Sequence, residues 1–255
     1  MAILEVKKLS KNFGGFQALQ EIDLAIDPVS IWAIIGPNGA GKSTLFNLIS
    51  GLLTPSEGEM YFKGVKLNGI KANQRTALGI ALTFQNLRLF PKMTVLENLL
   101  VGQTCRIKAN LGKVLFRLPF RPLNEEKKAQ AIAQEVLEFV GLLPRKNDLV
   151  SYLSYGEQEM VALARALATE PEILLLDEPC AGLNSRETSD LKKLLKTLVE
   201  HGKTVCFIEH DMNTVMEISD MITVLNFGVK IAEGPPSAIK GDLRVIEAYL
   251  GTEEV

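Results

Sequence analysis

The stretch "GPNGAGKST", Gly36 to Thr44, constrains this chain more than any other. It joins an apolar run, "SIWAIIG" (30–36), to a helical pattern over 42–50. Gly36, Gly39 and Gly41 leave the backbone free to curl until successive amides point inward. Pro37, Asn38 and Ala40 fill the turn, and a helix opening near Lys42 adds its positive end. Strand, turn and helix in this order make a cradle for phosphates. Lys42 is placed to reach the β- and γ-phosphates, and the Ser43 hydroxyl, beside Thr44, to take one position on Mg²⁺. The spacing predicts a bound nucleoside triphosphate.

The rest of the chain suits an α/β fold around that cradle. "IALTF" (80–84), "EILLLDE" (172–178), "TVCFIEH" (204–210) and "MITVLNF" (221–227) read as strands. Near-continuous apolarity in runs this short marks strands covered on both faces, as in a parallel sheet between helices. Helical patterns follow at 157–169, 186–200 and 211–218, with a last one at 243–250. The first 30 residues and 57–64 read instead as a neighbouring antiparallel sheet. From Asn86 to Val150 strand runs vanish. "TVLENLLVG" and "NEEKKAQAIAQEVLEFVGLL" have helical spacing, with Ile132, Val136, Phe139 and Val140 on one face. The expected fold is a P-loop NTPase core (1–85 and 151–255) with a mostly parallel sheet, an N-terminal antiparallel β subdomain, and an inserted helical lobe (86–150).

Composition narrows the function classes. With 28 basic and 30 acidic residues the net charge is −2, where a chain held to nucleic acid through phosphates carries a basic excess. No nucleic-acid partner is expected. Cys105, Cys180 and Cys206 lie far apart with only His201 and His210 beside them, so neither a zinc site nor a disulfide framework is expected. No apolar run approaches the length of a membrane span, and "MAILEVKKLS" is too charged for a signal peptide. The expected location is cytosolic, or at a membrane through a partner.

Two further segments carry chemistry. "ILLLDE" ends in Asp177, suited to hold Mg²⁺ through water, and Glu178, suited to polarise an attacking water. No N-K-x-D stretch for guanine occurs, so ATP is the expected nucleotide. "LSYGEQEM" (153–160) reads two ways. Ser154 followed by Glu157 is a capping box. A helix start with a serine and a glycine is also an anion site.

Cradle, Gln85 after a strand, "LSYGEQ" before "ILLLDE", and His210 after another strand together resemble the ATP-binding subunit of an ABC transporter, over essentially the whole chain. The family signature "LSGGQ" corresponds here to Leu153, Ser154, Tyr155, Gly156 and Glu157. The resemblance implies that this helix start faces the γ-phosphate bound by a second ATPase subunit. It also implies adenine stacking for Phe13, with Phe16 as rival. Gln85 would touch Mg²⁺ and water, and His210 the γ-phosphate. "YG", "EPCAGLN" (178–184), "EHDM" (209–212), "ISD" (218–220) and "YLG" (249–251) resemble the branch importing branched-chain and other hydrophobic amino acids. So does the insert "VLFRLPFRPLNEE". This branch implies two membrane permease subunits, a binding protein met only indirectly, and a place on the cytoplasmic face of the membrane. "TVLENLL" and "KVLFRLPFR" are candidate docking surfaces.

Several spellings depart from the family. Glu157 stands for a glutamine and would repel an anion unless it turns away or pairs with a cation. Asn184 stands for an aspartate in the loop usually written S-A-L-D. Val29-Ser30 replaces Gly-Glu before the cradle strand, and valine's dislike of positive φ predicts a different turn there. His201, before Gly202, reads as a helix C-terminal residue.

Overall fold

The computed structural model describes residues 1–105 and 123–250. Two sheets carry it. In the first, β1 (Leu4–Phe13) and β2 (Phe16–Ile26) form a hairpin, and β1 also pairs antiparallel with β4 (Glu57–Phe62), whose other neighbour is β5 (Val65–Lys66). The second sheet is six-stranded, in the order β10 (Val229–Gly234), β9 (Met221–Asn226), β3 (Ile31–Ile35), β8 (Thr204–Ile208), β7 (Ile173–Asp177), β6 (Ile80–Leu82). Its pairs are parallel except β9–β10. Every residue of β3 and β8 is buried, as their unbroken apolarity requires.

Helices flank the sheets: α1 (Lys42–Ser50), α2 (Ala72–Leu78), α3 (Val95–Gly102), α4 (Leu123–Phe139), α5 (Tyr155–Leu167), α6 (Ser185–Glu200), α7 (Met212–Ile218) and α8 (Leu243–Leu250). The sequence patterns place α1 and α8 at their observed bounds and the other anticipated helices within two residues, except that the stretch read for α4 runs four residues past its end at Phe139. They miss α2, β5, β10 and the one-turn helix Pro236–Ile239. α2 is short, with a single buried residue, Arg75, so it shows no apolar stripe to detect. Arg75 is nevertheless a keystone. Its guanidinium donates to the carbonyls of Leu48, Ile49, Leu67 and Ile70 at 2.6–2.9 Å, closing the C-terminal end of α1. Arg75→Leu leaves those buried acceptors unpaired and is expected to cost about 3–5 kcal/mol. Thermal unfolding should register a fall in Tm of roughly 10 °C.

α5 belongs to two cores. Leu163, Ala166 and Leu167 pack with the six-stranded sheet, against the cluster of Leu174, Leu176 and Ala33. Val161, Ala164 and the following Ala168 pack with Val95 and Leu99 of α3 and with Ala133 and Leu137 of α4. The sequence limit at residue 150 therefore falls just before a helix that serves both sides.

Three expectations change. On α4 the fully buried residues are Ala133 and Leu137, while Ile132, Val136, Phe139 and Val140 are only half-buried, so the inward face is rotated from the one anticipated. The turn before β3 is not replaced: Val29 itself takes φ 55, with its amide donating to Thr204 Oγ1 at 3.0 Å. Within "TVLENLL", Val95, Asn98 and Leu99 are buried in the lobe and cannot dock a partner. "KVLFRLPFR" and most of the "VLFRLPFRPLNEE" insert, with Cys105's side chain and Gly251, lie outside the described residues.

Candidate nucleotide site

The cradle forms between β3 and α1. At Gly36, φ 147, a Cβ would run into the Leu225 carbonyl of β9. At Gly41, φ 99, it would lie 2.7 Å from the Ala18 carbonyl. Only glycine fits either place. Gly41 caps α1 in the left-handed conformation with no side-chain bond, and the first turn holds no acidic residue. The first amides of α1 are thus left for an anion. Lys42, 6% exposed, donates to the carbonyls of Gly36 at 2.7 Å and Pro37 at 2.9 Å. Burial pulls its pKa down, against the pull of Glu178 and Asp177.

Three strand ends meet this helix start, where ligands of parallel sheets bind. Asp177, at the end of β7, lies 3.4 Å from Ser43 Oγ. Burial pushes its carboxyl up, and Glu178 pushes the same way. These hard oxygens suit Mg²⁺, which keeps water and phosphate as its other ligands. No cluster of three or more His, Cys, Asp or Glu among the described residues would cage a metal by itself. Glu178 carries a backbone φ of 54. Its Oε1 sits 3.0 Å from His210 Nε2 and its Oε2 accepts from Gln85 Nε2 at 2.8 Å. Ser43, Gln85, Asp177, Glu178 and His210, far apart in the chain, thus converge beside Lys42.

The signature segment lies elsewhere in the single chain. Ser154 caps α5: its Oγ accepts from Glu157 N at 3.2 Å, and its own amide donates to Glu157 Oε2 at 2.8 Å. The box is closed. Glu157's other oxygen pairs with Arg145 Nε at 3.3 Å, which supplies the cation its position demands. Gly156 packs on the Glu187 carboxylate, which a Cβ there would push aside, and the Tyr155 ring packs on Gly182. Asn184 caps α6, accepting from the amides of Arg186 and Glu187 at 3.0 Å. His201 closes α6 with Nδ1 2.7 Å from the Thr197 carbonyl. Phe13, at the β1–β2 tip, is 45% exposed with Lys11 Nζ 4.9 Å from its ring centre; Phe16 is 65% exposed.

Three residues that sequence reasoning passed over complete the surroundings. Arg165 of α5 donates to the carbonyls of Leu87 at 3.0 Å and Arg88 at 2.7 Å, tying down the segment that carries Gln85. Arg145 stands between two carboxylates, Asp148 at 3.0 Å and Glu157 at 3.3 Å. Glu209 is buried, and so is hidden in a run of strand residues. Nearby, Glu159 accepts from the Tyr155 hydroxyl at 2.9 Å. Burial raises its carboxyl from 4.5 to about 7, Glu209 adding to the rise and Tyr155 opposing it. A raised carboxyl makes the fold bind a proton that the unfolded chain releases. Stability is therefore lost as pH climbs from about 4.5 to 7. Glu159→Gln is expected to raise Tm by roughly 2–4 °C at pH 8 and to change nothing at pH 4.5, read by thermal melts across that range.

The family model for ABC transporters matches residues 19–181. The chain belongs to the ABC transporter family. It is an ATP-binding cassette, an ATPase with a P-loop fold. A second model, for the branched-chain amino acid ATP-binding cassette transporter, matches residues 229–255. The cassette is 43% identical over 251 residues to the high-affinity branched-chain amino acid transport ATP-binding protein BraF of Pseudomonas aeruginosa, covering 98% of each chain. Among solved structures it resembles the ADP conformation of an ABC transporter cassette, with a TM-score of 0.86 and 34% identity, covering 98% of this chain and 99% of that one. It also resembles a dimeric post-hydrolysis cassette bound to ADP and Pi, with a TM-score of 0.75, 32% identity, and coverage of 91% and 98%.

Proposed function

We propose that this cassette hydrolyses ATP to drive import of branched-chain or other hydrophobic amino acids. It would work at the cytoplasmic face of the membrane with two permease subunits and a second ATPase subunit, meeting a binding protein only through the permease. The observation that carries the reading is the fixed Glu178 carboxylate, bracketed by Gln85 and His210 beside an uncapped helix start. The name of the Pseudomonas relative supports the cargo class, and the dimeric ADP-bound cassette supports pairing.

In this mechanism two cassettes close over two nucleotides. Each site joins the cradle of one, Gly36 to Thr44, with Ser154, Tyr155, Gly156 and Glu157 of the other. Lys42 exchanges the carbonyls of Gly36 and Pro37 for phosphate oxygens, and charge-assisted bonds hold the pair. Ser43, Gln85 and Asp177 would hold Mg²⁺, which neutralises phosphate charge when bound. Glu178 takes a proton from the attacking water, Gln85 and His210 orienting its two oxygens. Loss of the γ-phosphate removes the link, and the subunits part. Phe13 would stack on adenine.

A groove of about 280 Å³ between the lobe and the sheets is lined by Phe84, Val101, Ala162 and Arg165. It abuts the Gln85 segment, so a permease helix seated there would feel the site. No helix among the described residues is long and apolar enough to cross a membrane, so attachment falls to such a contact. Ala162→Arg fills the groove. It is expected to abolish uptake of labelled leucine by vesicles carrying the cassette and its permeases, with ATPase activity of the free chain within about 2-fold of normal. Undiminished uptake would reject the groove. Absence of leucine, isoleucine or valine uptake with the unaltered chain would reject the cargo class.

A further inference from the structure

Glu178 and His210 sit on different loops, after β7 and β8, yet their side chains meet at 3.0 Å. Glu178 reaches this contact from φ 54, a left-handed backbone conformation that strains a glutamate. Strain of this kind persists only where neighbouring bonds over-determine it. One such bond runs from the Glu178 amide to the Ile208 carbonyl at 3.0 Å. Pro179 has no amide, so the next donor after Glu178 is Cys180 N. It donates to Glu209 Oε1 at 2.7 Å. The other oxygen, Oε2, accepts from the amide of His210 at 3.1 Å. Glu209 is only 5% exposed.

We infer that Glu209 is a positioning residue for hydrolysis, its buried carboxylate bolting the loop of Glu178 to the loop of His210. One side chain thus sets the spacing between the base and the imidazole that faces it. The bolt needs two acceptors, and an ionised carboxylate has only acceptors. A glutamine must turn its NH₂ toward one of the two amides, opening one bond and repelling that loop. The residue is buried behind the site and acts through Glu178 and His210. The inference rests on the assignment of Glu178 as base.

The test uses Glu209→Gln in the full chain, alone and combined with Glu178→Gln. The single variant is expected to lower kcat about tenfold or more while ATP affinity stays within about 3-fold. On the Glu178→Gln background, single-turnover hydrolysis should show no further loss, since the positioned group is already gone. The chain has only two histidines, so ring resonances are assigned with one His201→Gln control. The His210 resonances should move in Glu209→Gln, and those of His201 should not. Unchanged kcat and unmoved His210 resonances would overturn the inference, as would an equal loss on both backgrounds. Normal turnover in Glu178→Gln alone would remove the base, and the His210 resonances then still decide whether Glu209 sets the loop spacing. Should Glu209→Gln not fold, Glu209→Asp, with both acceptors on a shorter arm, carries the same comparison.

Discussion

Glu178→Gln is expected to bind ATP as tightly as the unaltered chain and to hydrolyse it about 10²–10⁴ times more slowly. In the proposed mechanism binding rests on Lys42, the start of α1 and the cradle amides, all of which the change leaves in place. Size is preserved, and the glutamine oxygen can still accept from Gln85 Nε2, now 2.8 Å from Glu178 Oε2. What disappears, if Glu178 is the base as proposed, is the one step that needs a carboxylate, removal of a proton from water. Rapid-mixing hydrolysis beside equilibrium nucleotide titration separates the two effects. Turnover near normal would take Glu178 out of the role of base. ATP-dependent dimers should also outlive those of the unaltered chain, because the phosphate that joins them persists.

Ser154→Arg is expected to abolish ATP-dependent dimerisation while the single chain still binds ATP. The serine caps its own helix, so its loss costs about 1 kcal/mol of local stability, too little to unfold the cassette. At the proposed interface an arginine replaces a small hydroxyl at the point of closest approach to a partner's phosphate. Light scattering after size exclusion, with and without ATP, reads the outcome. A dimer peak that persists would leave the serine with a capping role alone. The closed box of the single chain is compatible with pairing, since Glu157 already has a cation beside it, Arg145 at 3.3 Å, shared with Asp148 at 3.0 Å.

Legibility followed the reach of each physical signal. The cradle could be read because its steric demands are local: Gly36 and Gly41 are required by backbone neighbours that any side chain would strike. β3 and β8 could be read because burial on both faces leaves unbroken apolar runs. α2 could not, because a buried arginine holds it. The inward face of α4 was misjudged because Ile132, Val136 and Phe139 lie at the margin, with Ala133 and Leu137 at the centre. Val29 shows that a sequence rule about backbone preference can yield to a tertiary bond, here with Thr204. Arg165 and Glu209 each tie down a segment remote in sequence, at Leu87–Arg88 and Cys180, so no spacing announces them.

The double allegiance of α5 has a mechanical consequence. With one flank locked to the sheet and the other to α3 and α4, the helix cannot bend without breaking a core. A push on the groove wall at Ala162 is therefore delivered to Ser154 as the far tip of a stiff lever. Left-handed backbone stands beside this lever at Arg88, in the segment after Gln85, and at Glu170, just past α5, with φ 46 and 48.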